Sequence, residues 1–206
     1  LNSAVFYRGE VTNATANADG DPNEEHCNPL VAPPWLAKKS LVWLDIPWVE
    51  ANKETKKKGY SNSSEEKVIS RLLQMMEVAT FGSSPKPYTI AVITPYNMQK
   101  NAINNSDTKA PAGCQFGSAQ SLDPGKYKAY SIDSFQGDEA DIIVVSLVRN
   151  KLKGQGLPTA TDITFIAQPD RLNVMLSRAR RMLIIVGCWD YLSACMATVS
   201  SNMDAQ

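Results

Sequence analysis

Soft metal ligands are scarce in these 206 residues: one histidine, His26, and four cysteines, Cys27, Cys114, Cys188 and Cys195. No two cysteines stand as C-x-x-C, so a tetrahedral zinc site, which gathers about four such ligands, is not expected. A reducing compartment is the simpler reading, and Cys188, which follows an apolar run, is expected as a reduced thiol in or near the core. No apolar run approaches the ~20 residues of a membrane helix, and no signal peptide is visible. Charge of either sign is not in excess: Lys plus Arg and Asp plus Glu both number 21. That balance argues against a free-standing clamp holding nucleic acid by charge alone, while leaving local positive patches open. There is no G-x-x-x-x-G-K-[ST] loop and no nucleophile elbow, which disfavours a self-sufficient small-molecule α/β enzyme. The chain starts at Leu1 and reads straight into Val5-Phe6-Tyr7, as a piece of a longer protein would. Missing targeting signals then say little about the parent.

What is present suits one domain over 1–206: 43% of residues are hydrophobic and the charged fraction is ordinary. Residues 12–34 and 104–126, rich in Pro, Gly, Asn and Ser, read as loop excursions, and 150–161 as a further Gly/Pro loop. Short apolar runs at 40–46, 88–94, 127–132, 141–148 and 182–186 read as five strands. Between them, helices are expected from Ser63 through Ala79 with Gly82 closing, from Tyr96 to Ile103, from Pro169 to Ala179 and from Asp190 to Val199. Strands apolar on both faces alternating with helices indicate an α/β fold, a mainly parallel sheet covered on both sides. Ligands on such sheets gather at the carboxyl ends of strands, where the clusters below are expected.

Three clusters carry candidate chemistry. In Ser131-Ile132-Asp133-Ser134-Phe135-Gln136-Gly137-Asp138-Glu139-Ala140-Asp141, Gly137 allows a turn with φ > 0 and Glu139 offers acceptors to a ribose hydroxyl. An ordinary Asp/Ser/Gly connecting turn has the same composition. In Arg171-Leu172-Asn173-Val174-Met175-Leu176-Ser177-Arg178-Ala179-Arg180-Arg181, helical spacing collects Leu172, Met175, Leu176 and Ala179 on one stripe. Arg171, Arg178 and Arg181 then fall on another surface, suited to phosphate. A solvated basic face near a helix C-terminus reads equally well. In Ala91-Val92-Ile93-Thr94-Pro95-Tyr96-Asn97-Met98-Gln99, a strand runs into a helix start where free N–H groups suit a phosphate. Tyr96 there either stacks on a base or packs on the core.

In this order the clusters resemble the C-terminal half of superfamily 1 DNA and RNA helicases, in the 5′-to-3′ branch that contains the nonsense-mediated-decay helicase. Thr94-Pro95-Tyr96 with Gln99 resembles motif IV or its neighbour. The Asp133–Asp141 segment, followed by an apolar strand closed by Arg149, resembles motif V. The Arg171–Arg180 segment, followed by a strand closed by Gly187, resembles motif VI. Val5-Phe6-Tyr7-Arg8-Gly9-Glu10-Val11 resembles the segment such proteins carry before this domain. The resemblance implies a second RecA-like domain, a P-loop-NTPase-type fold without its own P-loop. It implies Arg178 as the catalytic arginine finger, and Gln136, Gly137, Glu139 and Arg171 at the nucleotide. It implies Thr94, Pro95, Tyr96, Gln99, Ser134, Asn173 and Ser177 on single-stranded DNA or RNA. The implied partner is the first RecA-like domain of the same polypeptide, and the implied setting is intracellular, cytoplasmic or nuclear, with no membrane.

The same pattern shows departures. The P-loop, the magnesium-holding acid and one phosphate-sensing arginine have no counterpart in 1–206, so ATP and Mg²⁺ are expected mainly on the missing first domain. None is expected on this fragment, which should be inactive alone. The alternative reading is a non-catalytic nucleic-acid-binding or scaffold domain that keeps the fold. Arg178, Glu139 and Gln136, all present, speak against it, and a P-loop domain upstream would separate the two.

Overall fold

The computed structural model describes residues 28–79, 87–119, 125–151 and 158–203. In chain order these hold β1 (Leu30–Ala32), β2 (Leu41–Asp45), β3 (Thr55–Lys56), β4 (Tyr60–Ser61), α1 (Ser63–Met75), β5 (Glu77–Val78), β6 (Tyr88–Thr94) and α2 (Asn97–Asn105). Then come β7 (Cys114–Phe116), β8 (Ala129–Ser131), β9 (Ala140–Ser146), α3 (Ala160–Ile163), α4 (Pro169–Ser177), β10 (Ala179–Gly187) and α5 (Trp189–Met203). The main sheet runs β2-β10-β9-β6, and the far side of β6 is shared by β7 along Tyr88–Ile90 and β8 along Val92–Thr94. Every pairing in it is parallel, as the α/β expectation required.

The parallel sheet follows from its composition. All seven residues of β9 are buried, so β9 must be covered on both faces. Strand alternation then splits the core in two. Ile90, Val92, Ile142, Val144 and Ile184 pack with Ile69, Leu72 and Leu73 of α1 and Ile103 of α2. Ala91, Ile93, Ile143, Val145 and Ile185 pack with Ile163 of α3, Met175 of α4 and Tyr191 and Cys195 of α5. Cys188 is a buried free thiol in this second layer.

Several boundaries differ from the sequence reading. Helix α1 ends at Met75, because Met76 turns extended (φ −76°, ψ 133°) and β5 then pairs antiparallel with β1. Met76 is still buried, so the periodicity marked burial correctly while the backbone changed; Gly82 lies outside the described residues. Helix α1 begins at Ser63 as expected, capped by Asn62, whose Oδ1 accepts from the N–H groups of Ser64 and Glu65 at 3.0 and 3.2 Å. The sheet has six strands rather than five, since β7 forms inside the stretch expected as the 104–126 loop. Within 12–34, Leu30–Ala32 is a strand and the rest up to Cys27 lies outside the described residues. Helix α4 stops at Ser177, two residues short of the expected end, and β10 begins at Ala179, three residues before the strand expected at 182–186, so Arg180 and Arg181 belong to the strand.

Each end of β9 is tied down by a buried acid. At its start, Asp141 Oδ2 accepts from the backbone N–H and hydroxyl of Thr89 on β6, both at 2.9 Å, and its Oδ1 accepts from Arg181 Nε on β10 at 2.9 Å. One carboxylate thus joins three strands. Beyond its other end, Val148 adopts φ 71°, a left-handed conformation unusual for a β-branched residue. The Arg149 N–H donates back to the Leu147 carbonyl at 2.8 Å, a γ-turn. Glu65, fully buried on α1, holds that turn: its oxygens accept from Val148 N–H at 2.9 and 3.0 Å, and Oε2 lies 2.6 Å from Ser146 Oγ. The turn delivers Arg149 into a closed setting. Its Nε lies 2.8 Å from Glu54 Oε2, both side chains are under one-tenth exposed, and its guanidinium stands over the Tyr60 ring at 4.2 Å.

These two acids predict different behaviour. Burial, partly offset by the hydrogen bonds from Ser146 and Val148, pushes Glu65 from its ordinary 4.5 to about 8. The folded protein therefore keeps a proton that the unfolded chain releases. The resulting stability is full below about pH 4.5 and is lost as pH rises through about 8. Urea unfolding at pH 6 and pH 9 should show this loss, and Glu65→Gln, which mimics the protonated form, should flatten it; an unchanged slope in the variant removes Glu65 as the cause. Arg149→Ala, which strands Glu54 in a buried site, should cost about 3–5 kcal/mol, and Arg149→Met combined with Glu54→Leu should recover most of it. Equal losses in the single and double variants would show that the ion pair is not what the site depends on.

Candidate nucleotide edge and strand surface

The structure separates the candidate residues into two groups at opposite ends of the sheet. Parallel register places Ala140 opposite Ala179, and the Ala140 N–H donates to the Arg178 carbonyl at 3.1 Å. Glu139 and Arg178, each one residue before its strand, are thereby brought side by side. They lie at the amino ends of β9 and β10, not at the carboxyl ends expected from the general rule for such sheets. The chain reaches this edge through the turn at Gln136 and Gly137, both exposed. Gly137 has φ +89° with nothing within 4 Å of where a Cβ would sit. Conformation rather than crowding requires glycine there, and the space over it is open to a ligand.

Arg178 caps α4 in a helical conformation (φ −89°, ψ −11°) and is half-buried. Its Nε and one terminal nitrogen donate to Ser177 Oγ at 3.1 and 2.8 Å, which orients the guanidinium and leaves its other donors for a ligand. Glu139, with its side chain 50% exposed, lies 3.6 Å from Arg180 Nε. Such an exposed pair stabilises little, so its carboxylate can exchange Arg180 for another donor at small cost. Arg180 was not singled out by the sequence, because helical spacing grouped Arg171, Arg178 and Arg181 and left it out. Strand alternation from Ala179 supplies the missed signal. Arg181 faces Asp141 instead, so the expected Arg171, Arg178 and Arg181 surface does not form. Arg171 is also removed from it: seven residues of α4 separate it from Arg178, about 10 Å along the axis. It sits over the Phe165 ring at 3.7 Å, 3.9 Å from Asp133 Oδ1, and donates to Gln168. The candidate nucleotide edge therefore comprises Gln136, Gly137, Glu139 and Arg178 with Ser177 and Arg180, and Arg171 stands two helical turns away from it.

The other end of the sheet, at the carboxyl termini of β6 and β8, receives the strand candidates. Thr94 and Ser131 are register partners there. Ser134 is exposed, and its hydroxyl and N–H bond Ser131 at 2.8–3.2 Å. Thr94 and Pro95 are buried, and the Thr94 hydroxyl accepts from the Tyr96 N–H at 3.5 Å. Gln99 is 0% exposed, and its amide bonds both the N–H and the carbonyl of Asn62, at 2.8 and 3.2 Å, and Ser146 Oγ at 3.1 Å. It braces α1 against β9, and no part of it reaches a strand on the surface. Tyr96 packs rather than offering a free face: Tyr60 meets it edge-on at 5.2 Å and Phe165 stacks on it at 5.6 Å. Asn173 is half-buried in the middle of α4. Ser177 belongs with Arg178. Of the expected strand contacts, Ser134 is the one displayed openly at this end. The Val5–Val11 segment lies outside the described residues.

Among the described residues no three His, Cys, Asp or Glu side chains assemble as a metal site, and no helix is long and apolar enough to cross a membrane. The donor set at this candidate edge, two arginines, one exchangeable acid and an open glycine turn, fits a phosphate-bearing ligand approached from outside.

Comparison with known proteins agrees with the family resemblance. The family described as "AAA domain" matches residues 1–190. The chain is 31% identical over 193 residues to a "Regulator of nonsense transcripts 1 homolog" from Neurospora crassa, covering 90% of this chain and 15% of that protein. It is 30% identical over 160 residues to the human "DNA replication ATP-dependent helicase/nuclease DNA2", covering 75% of this chain and 13% of that protein. It is 32% identical over 143 residues to the chicken "Putative helicase MOV-10", covering 67% and 14%. The chain thus spans about one-seventh of the length of these relatives. The match across nearly the whole sequence, on a parallel α/β sheet, establishes that this chain belongs to the AAA-domain family of superfamily 1 helicases, in the branch of the regulators of nonsense transcripts.

Proposed function

We propose that residues 1–206 form the second RecA-like motor lobe of an ATP-dependent DNA or RNA helicase, completing from outside a nucleotide site whose P-loop lies on a first lobe of the same polypeptide. The observation that carries this reading is the juxtaposition of Glu139 and Arg178 on register-paired strand starts. An acceptor suited to ribose hydroxyls and a rigid guanidinium suited to phosphate oxygens stand on adjacent strand starts, in a sequence that has no P-loop of its own. ATP bound between the lobes would supply the phosphoryl group and Mg²⁺ its charge neutralisation. This lobe contributes position and positive charge. Arg178, oriented by Ser177, meets the charge that develops on the transferred group only when the lobes close. Glu139 exchanges Arg180 for the ribose, and Gly137 lets the ligand approach the backbone. Ser134, exposed at the other end, offers its hydroxyl to the sugar-phosphate chain of a single strand when that hydroxyl exchanges the Ser131 carbonyl for the ligand. The relatives support both halves of the reading by name: one is an ATP-dependent helicase from Schizosaccharomyces pombe, 28% identical over 197 residues. The setting that follows is intracellular, and the fragment alone neither binds ATP tightly nor hydrolyses it.

In the full-length protein carrying this lobe, Arg178→Ala should lower strand-stimulated ATP hydrolysis by about 10³-fold or more while nucleotide binding stays within a few-fold. Turnover equal to the parent would defeat the finger assignment. Tight ATP binding by residues 1–206 alone would defeat the half-site reading.

A further inference from the structure

The hairpin of β3 and β4 carries a charge cluster that none of the helicase-like motifs includes. Lys56, Lys57 and Lys58 are consecutive and exposed. The acids around them are engaged elsewhere: Glu50 lies 3.4 Å from Lys53 and Glu54 is buried against Arg149. Among the described residues no acid lies within ion-pair distance of Lys57 or Lys58. In a chain of zero net charge, three adjacent ammonium groups form a local positive patch that salt screens and that a bound polyanion neutralises with release of counterions.

The hairpin is seated, not free-standing. The Lys57 N–H donates to the Gly59 carbonyl at 3.0 Å, and a Cβ on Gly59 would fall 2.9 Å from Met98 Cγ of α2. Glycine is what lets the hairpin rest on the helix start beyond β6. From there a continuous row of rings and cations runs along the carboxyl ends of the strands. Lys56 Nζ is 5.4 Å from the Tyr60 ring, Tyr60 is 5.2 Å from Tyr96, Tyr96 is 5.6 Å from Phe165, and Arg171 caps Phe165 at 3.7 Å. Arg171 in turn lies 3.9 Å from Asp133, next to the exposed Ser134. Packing neighbours occupy these rings, so they act as platforms that fix cations along an edge and do not offer stacking surfaces to bases. A ligand matched to such an edge is an extended polyanion read through its backbone.

We propose that the β3–β4 hairpin is an additional phosphate-binding element for the single strand, extending the surface at Ser134 across the aromatic row to Lys57 and Lys58. The inference rests on the helicase-lobe reading above and names a part of the strand path that the motif residues do not cover. The contacts are electrostatic, so they are indifferent to base sequence.

The test is fluorescence anisotropy of labelled oligothymidylate and oligouridylate with the full-length protein, titrated at several salt concentrations. Lys57→Ala/Lys58→Ala and Lys57→Glu/Lys58→Glu are compared with the parent. Both lysines are exposed, and an unchanged melting temperature checks that the fold is intact. Charge reversal should raise Kd by about tenfold or more, and removing two phosphate contacts should reduce the slope of log K against log salt by about 1.4. If the parent binds and Ser134→Asp weakens binding while both lysine variants match the parent in Kd and slope, the hairpin inference fails and the lobe reading stands. A parent that binds neither oligonucleotide overturns both. Polyglutamate that competes as well as an oligonucleotide of equal charge would reduce the hairpin to a general polyanion patch and overturn the inference.

Discussion

Two buried carboxyl groups, one beyond each end of β9's core, hold the central strand in place, and the positions of both surfaces depend on them. Asp141 is next to a cation and joins β6, β9 and β10 at their amino ends. Among the described residues no cation pairs with Glu65, which instead accepts from Val148 N–H and pairs with Ser146 Oγ. The same functional group is stable in the interior by two routes, as half of an ion pair or as a proton-bearing acceptor. A slip of one residue in β9 would break both ties and turn its alternating side chains to the wrong layer. Register is therefore strongly specified, and the side-by-side placement of Glu139 and Arg178 is a product of register.

The sheet was readable where the sequence is locally self-consistent. The run from Asp141 to Val148 is β-branched and apolar on both faces, and only a strand covered twice accommodates that. Reading failed where two structures share one periodic signal. Leu73 and Met76 continue a helical stripe, yet the backbone turns extended after Met75 and both side chains still reach the same core. Past Ser177 the arginines satisfy helical spacing, yet parallel pairing of Ala179 with Ala140 takes them into a strand. The three residues of β7 carry no apolar run of their own. Their strand conformation comes from the edge of β6, to which they pair.

The candidate residues were legible as a set of motifs, but their distribution over the fold was not. Motif order singled out Arg178, Glu139 and Ser134, and these are half-buried or exposed at the two ends of the sheet. Gln99 and Thr94 belong to the same motif-like segment but point inward. Their partners, Asn62 and Ser146 for Gln99, lie 37 and 47 residues away in sequence, and no local pattern announces such a bond. Arg171 and Arg178 looked like neighbours on one helix face, but two turns, about 10 Å, separate them, and Phe165 holds one while Ser177 holds the other. Asn62 and Glu65 went unnoticed for the opposite reason: polar residues at a helix start read as solvated, and only packing shows them closed off from water.

Placing the two surfaces at opposite ends of β9 has a mechanical consequence. Its seven residues span about 23 Å, too far for any side chain to touch both. On the proposed reading, information passes between the edges by tilting the sheet as a stiff plank, with the tied-down strand as its spine. A tilt of about 10° about one edge displaces the other by about 4 Å over that length. Softening the plank at either anchoring acid would then blunt the stroke without altering a single contact to nucleotide or strand.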